Sequence, residues 1–178
     1  MTTIRSERLR LMVVNGMIMA LGLTLPVAFH AVGMGSKFLP MLLPLLLNGF
    51  LSPFGWAVLM GGATPWISSL LTGMPPLYPP VAAVMSLEGM VLAGVARALY
   101  VASRRRVWPA LCAAIICGRL AGFALSWTLA RQFGLPPVVS SVAALVQGLP
   151  GVALQLAVVP LVLTALSKRK GLLFEDAS

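Results

Sequence analysis

Long apolar stretches separated by short connections make up most of this chain, and they decide what it can fold into. They cover residues 11–30, 38–51, 54–71, 81–102, 107–130 and 138–166. A membrane-spanning helix needs roughly 20 mostly apolar residues, so this pattern predicts six transmembrane helices. Only 10% of the residues are charged, against about 25% in an ordinary soluble domain. We therefore expect an all-α integral membrane bundle whose main solvent is lipid.

The spacing of the stretches leaves no room for a separate water-soluble domain. We expect residues 1–178 to form a single transmembrane domain, with short basic cytoplasmic tails at 1–10 and 167–178. The stretch 38–51 is the shortest, reaching only about 21 Å at the helical rise per residue, and it contains Pro40 and Pro44. A kinked re-entrant pair over 38–71 is therefore the alternative to two separate spans.

The lysines and arginines predict the orientation of the helices. They form three clusters, which lie before the first helix, between the fourth and fifth, and after the sixth: Arg5, Arg8 and Arg10; Arg97, Arg104, Arg105 and Arg106; and Lys168, Arg169 and Lys170. With six spans, all three clusters fall on one side of the membrane, which the positive-inside rule makes cytoplasmic. Both termini are thus predicted to be cytoplasmic. The net charge of +9 reflects this topology, and we do not expect nucleic-acid binding.

Two charged residues lie within the predicted spans, where each is costly. Glu88 lies in the outer half of the fourth helix and Arg119 near the middle of the fifth. Each costs about 2.5–3.5 kcal/mol at a helix centre on insertion scales. Because the two helices run antiparallel, the side chains are predicted to come within reach of each other. The pair either contacts a polar or zwitterionic solute or only fixes the register of the two helices, and the sequence leaves both interpretations open.

Other polar side chains within the spans and at the outer connections are further candidates for substrate binding. Asn48, Gln147 and Gln155 carry amides, which have too many polar atoms to be satisfied by their own helix. His30 ends the first helix and offers a donor or acceptor. Tyr78, in the second outer connection, offers a ring for stacking.

The first outer connection, residues 31–37, has the composition of a movable lid. Gly33 and Gly35 allow backbone freedom, and Lys37 lies beside them. In the preceding helix, Gly16, Ala20 and Thr24 follow one another at a spacing of four residues. Such a stripe of small residues lets another helix approach closely, either inside the bundle or, if it faces outwards, on a partner protein.

The residue inventory disfavours catalysis. The sequence has no Walker A motif, no HExxH, no CxxC and no GxSxG, and His30 is its single histidine. Cys112 and Cys117 are interpreted as small buried hydrophobes, since they lack the surroundings of a metal site. We therefore expect a protein that is not an enzyme and that holds no cofactor or metal.

Several segments resemble the substrate-binding S components of energy-coupling factor (ECF) vitamin transporters. The most specific is Thr64-Pro65 with Ser68-Ser69-Leu70-Leu71-Thr72-Gly73-Met74-Pro75-Pro76, followed by Met85 and Glu88. The others are similar to the first, second and last helices of such proteins: Ala20-Leu21-Gly22-Leu23-Thr24-Leu25-Pro26 with Phe29-His30; Phe38-Leu39-Pro40-Met41-Leu42-Leu43-Pro44 with Asn48-Gly49-Phe50; and Gly148-Leu149-Pro150-Gly151 with Leu154-Gln155 and Pro160. The resemblance covers residues from about 16 to 165, nearly the whole chain.

This resemblance implies a capture subunit for a vitamin or cofactor precursor in a prokaryotic plasma membrane. It implies partners as well: a transmembrane coupling protein, which would dock on Gly16, Ala20 and Thr24, and two cytoplasmic ATPase subunits. It implies a lid over residues 31–37 and substrate contacts from the lid and the later helices. The alternative is a stand-alone secondary carrier or channel, which would transport without ATPases and for which internal repeats are typical.

Overall fold

Every regular element in the described part of the chain is a helix. The structure, a computed structural model, describes residues 2–78, 80–134 and 146–168, without the side chains of residues 2–7 and Ser36. Its helices are α1 Thr2–Ala31, α2 Gly35–Phe38, α3 Leu42–Leu51, α4 Phe54–Thr72, α5 Val81–Ala102, α6 Val107–Phe133 and α7 Leu149–Ser167. The all-helical architecture predicted from the sequence is confirmed. The predicted helical residues 138–145 lie outside the described ranges.

Four of the described helices are long and apolar enough to cross a membrane. They are Arg8–Ala31 within α1, then α5, α6 and α7. The remaining long apolar segments are α3, with 10 residues, and α4, with 19. Four candidate spans support an integral membrane protein, while six spans with cytoplasmic termini stay a prediction. Since α1 begins at Thr2, the predicted basic tail at 1–10 is helical.

The stretch 38–51 does not form one continuous helix. The chain leaves α2 at Leu39, whose backbone is left-handed with φ 43° and ψ 56°, and α3 begins only at Leu42. The residue before a proline is disfavoured in the right-handed helical region, so Pro40 explains the break. A left-handed conformation costs a non-glycine residue about 1–2 kcal/mol. The packing of Leu39 against neighbouring helices must offset this cost.

A close helix contact joins α4 and α5 through two glycines. A Cβ added at Gly61 would lie 2.5 Å from the carbonyl oxygen of Gly89, and one added at Gly89 would lie 2.6 Å from that of Gly61. Pro65 has no N–H, so the carbonyl oxygen of Gly61 lacks its usual helical donor. It lies against Gly89, where backbones this close can form Cα–H···O contacts. Only glycine fits at either position.

We expect Gly61→Ala to destabilise the fold, because its methyl group would collide with backbone atoms that cannot move aside. Overpacking of this kind costs about 1–3 kcal/mol, and it pushes α4 away from α5. Gly55→Ala is the matched control in the same helix, since a Cβ there meets nothing within 4 Å. Thermal unfolding in detergent should show a lower melting temperature for Gly61→Ala alone. Equal melting temperatures would contradict the close crossing.

A large apolar core fills the bundle towards the end that carries the basic clusters. Phe50 of α3 packs edge-on against Tyr100 of α5, with ring centroids 5.2 Å apart. Around them lie buried residues of α5, α6 and α7, including Leu92, Leu111 and Val159. A smaller cluster of Met41, Leu42 and Leu45, with Leu39 and Met85 packed against it, lies nearer the other end. The charged pair identified in the sequence lies between α5 and α6 at this second end.

Candidate functional site

Glu88 and Arg119 form an ion pair inside the bundle. Nη1 of Arg119 lies 3.0 Å from Oε1 of Glu88, and their side chains are 16% and 9% exposed. Gly122, one turn beyond Arg119 on α6, makes room for the carboxylate: a Cβ there would lie 2.9 Å from Oε2 of Glu88. The antiparallel pairing of α5 and α6 thus brings together the two charges as the sequence predicted. This contact alone fits both a binding site and a structural pair.

The polar atoms around this pair are not all satisfied. Among the described residues, Oε1 of Glu88 and Nη2 of Arg119 are buried without a hydrogen-bond partner. The 3.0 Å approach of Arg119 Nη1 to Glu88 Oε1 is therefore a charge contact and not an aligned hydrogen bond. Gln155 of α7 is 1% exposed, and neither its Oε1 nor its Nε2 has a partner. A buried unsatisfied polar group costs about 1–3 kcal/mol. Groups of this kind are expected where a ligand supplies the missing partners.

The first turn of α7 links these residues. A Cβ at Gly148 would lie 3.4 Å from Nη1 of Arg119 and 3.3 Å from Leu39 Cδ1. Gly148, Gly151 and Gln155 share one face of the helix, and seven residues of helical rise place Gln155 about 10 Å further along the helix than Gly148. Arg119 therefore lies beside the start of α7, and the unpartnered amide of Gln155 lies on the same face of α7, further towards the middle of the bundle.

The predicted lid leads into residues that pack against the start of α7. Gly33 has φ +72°, and the second half of the predicted lid forms α2. A Cβ at Gly151 would lie 2.4 Å from the carbonyl oxygen of Phe38 at the end of α2. Lys37 is exposed. The structure thus places the lid segment on α7, next to Arg119.

His30 packs against the segment that is predicted to be a lid. Its Nδ1 lies 2.8 Å from the carbonyl oxygen of Pro26, and since a carbonyl only accepts, Nδ1 carries the proton. The ring lies on Gly35, where a Cβ would come within 2.2 Å of ring atoms. Gly35 is therefore needed for close approach at the start of α2. In this structure His30 contacts the lid, and its predicted role in substrate binding stays a prediction.

Asn48 belongs to a different polar cluster. Its Oδ1 accepts a hydrogen bond of 2.6 Å from Ser52 Oγ, which also lies 3.3 Å from Oδ1 of Asn15. All three residues are buried, and they tie α1 to the turn between α3 and α4. No hydrogen bond or ion pair joins them to the Glu88–Arg119 pair among the described residues. The sequence reasoning missed Asn15, although an amide in an apolar stretch is the same signal that identified Asn48.

Two other predicted binding residues are exposed. Tyr78 is 74% exposed in the loop between α4 and α5, and Gln147 is exposed just before α7. The start of this outer loop is tied to the end of α4, since Ser68 Oγ donates to Met74 O at 2.6 Å and Ser69 Oγ donates to Pro75 O. The segment that most resembles S components is therefore a hydrogen-bonded cap on α4.

The stripe of small residues on α1 faces away from the bundle. Gly16, Ala20 and Thr24 are all exposed, whereas Asn15 and Ile18 on the other side are buried. A Cβ at Gly16 would meet nothing within 4 Å. The hydroxyl of Thr24 donates to the carbonyl of Ala20 at 2.8 Å, so the stripe presents no unsatisfied polar atom. Of the two interpretations, internal packing or an outward surface, the structure favours the second.

Other features lie apart from the candidate site. The prediction that Cys112 and Cys117 are buried is wrong, because both are exposed on α6: their positions on the helix point them to its outer surface. Grooves of about 310 and 260 Å³ open elsewhere on the bundle, and neither is lined by a predicted substrate-binding residue. No group of metal-ligating side chains was found within the described residues.

Buried ionisable groups within a bundle of long apolar helices are typical of the general class of membrane transport proteins. The sequence narrows this class. Residues 10–163 match the profile of the family described as "ECF transporter, substrate-specific component". The match covers most of the chain, so this protein belongs to that family, and it is a transporter component of a non-enzymatic family. Comparisons with curated proteins and with solved structures gave no match.

Proposed function

We propose that this S component captures a vitamin or cofactor precursor from outside, at a site formed by Glu88, Arg119 and Gln155. The observation that carries this proposal is the set of buried polar atoms without partners on α5, α6 and α7. Intramembrane ionisable groups are costly and mark binding sites or pathways by default. Their position beneath α2 suits a site that a lid can seal from water.

We propose that residues 31–37 are the lid. The left-handed backbone at Gly33 and Leu39 flanks α2. The contacts of this segment include His30 on Gly35, Phe38 on Phe29 and Gly151, and Leu39 on Gly148 and on the cluster of Met41, Leu42 and Leu45. Opening requires these contacts to separate. His30, Tyr78 and Gln147, which lie at or near the outer loops, would meet the solute as it enters. Asn48 is a less suitable contact, because its oxygen is already bonded to Ser52.

We propose that delivery depends on partners, namely a transmembrane coupling protein and two cytoplasmic ATPase subunits. Membership of the family supports this. The outward stripe of Gly16, Ala20 and Thr24 is a suitable docking surface for a partner helix. An apolar groove of about 260 Å³ between α1, α3 and α7 borders it and is lined in part by Met17 and Leu21. Release inside then requires a state of the complex that binds the solute less tightly.

The proposal is tested by purifying the protein in detergent and identifying any small molecule that accompanies it by mass spectrometry. We expect a vitamin-like solute to co-purify and, when added back to stripped protein, to raise the melting temperature. A ligand present at 100 times its Kd stabilises by about 2.7 kcal/mol. Repeated absence of a solute, together with no thermal shift across a panel of vitamins and their precursors, would contradict the capture function.

A further inference from the structure

The charge inventory of the chain limits what the candidate site can hold. The sequence has four acidic residues: Glu7, Glu88, Glu175 and Asp176. Glu88 is therefore the single acid between residues 8 and 174. Residues 135–145, which the structure does not describe, contain no charged residue, so they cannot change this count.

The buried part of the site is already neutral. Glu88 and Arg119 lie 3.0 Å apart and compensate each other. The other cations near the outer end are exposed: Lys37 lies on α2, and Arg131 lies 3.8 Å over the ring of Trp127 at the end of α6. Neither forms an ion pair with Glu88 in the described part of the chain.

A charged solute would leave this site with an uncompensated charge. A cation would have to share Glu88 with Arg119, and no second acid is available. An anion would compete for Arg119 and leave Glu88 beside it. A zwitterion would have to break the existing pair to form two new ones. The first two alternatives desolvate a charge without a full partner, and the third buries two further charges and gives up an existing pair; both are costly inside a protein.

The unpartnered atoms instead require a solute with both donors and acceptors. Oε1 of Glu88 accepts, Nη2 of Arg119 donates, and Gln155 offers one atom of each kind. A neutral amide such as that of Gln155 pairs best with another amide, whose donor and acceptor lie side by side. The seven residues that separate Gly148 from Gln155 span about 10 Å, which suits a vitamin-sized molecule.

From these observations we infer that the site binds a solute without charge that presents a carboxamide, lactam or ureide edge to Gln155 and neutral hydrogen-bonding groups to Glu88 and Arg119. This inference rests on the proposed capture function and specifies its substrate class. It predicts that the bound solute and its hydrolysed form differ sharply in affinity. Hydrolysis of a carboxamide leaves a carboxylate in its place and releases ammonia, whereas hydrolysis of a lactam or ureide opens the edge and leaves ionised groups at its ends.

The test uses the full-length protein with the solute that co-purifies with it. We expect that solute to be uncharged at pH 7 and to contain an amide-like edge. Its hydrolysed acid should bind about 30-fold more weakly or worse in calorimetry, as expected when a buried charge is left unpaired. A bound cation, anion or zwitterion, or equal binding of amide and acid, would overturn the inference and leave the capture function standing. Absence of any solute would overturn the capture function and this inference with it.

Gln155→Met separates a binding role from a structural one. The thioether has nearly the same shape and removes the unpartnered amide. We expect the stripped protein to melt at the same or a higher temperature, while affinity for the solute falls about 10-fold or more. Thr164→Val on α7 is the matched control, since the hydroxyl of Thr164 bonds its own helix and should affect neither measurement. Unchanged affinity in Gln155→Met would remove Gln155 from the site and overturn the inferred amide contact.

Discussion

Arg119→Met is expected to be the most destabilising single substitution at the candidate site. It removes the cation 3.0 Å from Glu88 and leaves a carboxylate buried between α5 and α6 without its counter-charge. Breaking a buried ion pair in this way costs about 3–5 kcal/mol. The measurement is unfolding of the purified protein in detergent, followed by heating or by added denaturant.

A double-mutant cycle makes this expectation specific to the pair. Glu88→Gln combined with Arg119→Met leaves no charge at the site, and replacing a buried ion pair by neutral groups is often close to neutral for stability. We therefore expect the double variant to be more stable than Arg119→Met alone, with a coupling of about 0.5–3 kcal/mol. If Arg119→Met is as stable as the unmodified protein, the two charges do not depend on each other. If the double variant loses the sum of both single effects, the same conclusion follows.

The sequence predicted this pair because its residue types are rare in lipid and the helix order is simple. Two consecutive helices joined by a short turn must run antiparallel, and counting the rise per residue gives the relative depth of Glu88 and Arg119. The limits of α5, at residues 81 and 102, also agree with the predicted stretch 81–102. The limits agree because the apolar stretch begins directly after Pro80 and ends just before the basic cluster at 104–106.

The faces through which helices meet were not predictable in the same way. The Gly61–Gly89 crossing depends on which faces of α4 and α5 meet, and both helices are apolar over most of their surface, so hydrophobicity does not identify those faces. Leu39 illustrates a second limit. Pro40 signalled a break, but the left-handed backbone that places the Leu39 side chain on Gly148 is fixed by tertiary packing. The approach of α7 to Arg119 follows from that packing.

The amides show how the structure separates candidates that look alike in sequence. Asn48 and Gln155 are both buried, and both lie in apolar stretches. Asn48 Oδ1 is bonded to Ser52, which lies next to Asn15, and only Nδ2 of Asn48 is buried without a partner, whereas both polar atoms of Gln155 lack a partner within the described residues. The sequence pattern alone does not separate these two residues, because it shows that burying an amide is costly but not whether neighbouring groups satisfy it. Only the neighbouring groups in the structure show whether the polar atoms of a buried amide are already hydrogen-bonded or are free to bind a solute.

Gly16→Leu together with Ala20→Leu is expected to abolish solute uptake while leaving solute binding unchanged. Both positions are exposed on α1, and a Cβ at Gly16 meets nothing within 4 Å, so larger side chains fit without disturbing the bundle. On the stripe they prevent the close helix approach that small residues allow. The measurements are uptake by cells that contain the partner subunits, pull-down of the coupling protein, and calorimetry on the isolated variant.

Ala124→Leu provides the matched control for this prediction. Ala124 is exposed on α6, so the substitution enlarges a side chain on a different helix and should leave uptake and pull-down intact. Loss of solute binding in the α1 variant would mean that the stripe supports the fold of the capture site. Normal uptake in that variant would exclude α1 as the docking surface. Gly16 lies next to Asn15, whose side chain contacts Ser52 in the turn between α3 and α4. A partner bound on the stripe would therefore lie one residue from a buried hydrogen bond that joins α1 to the rest of the bundle.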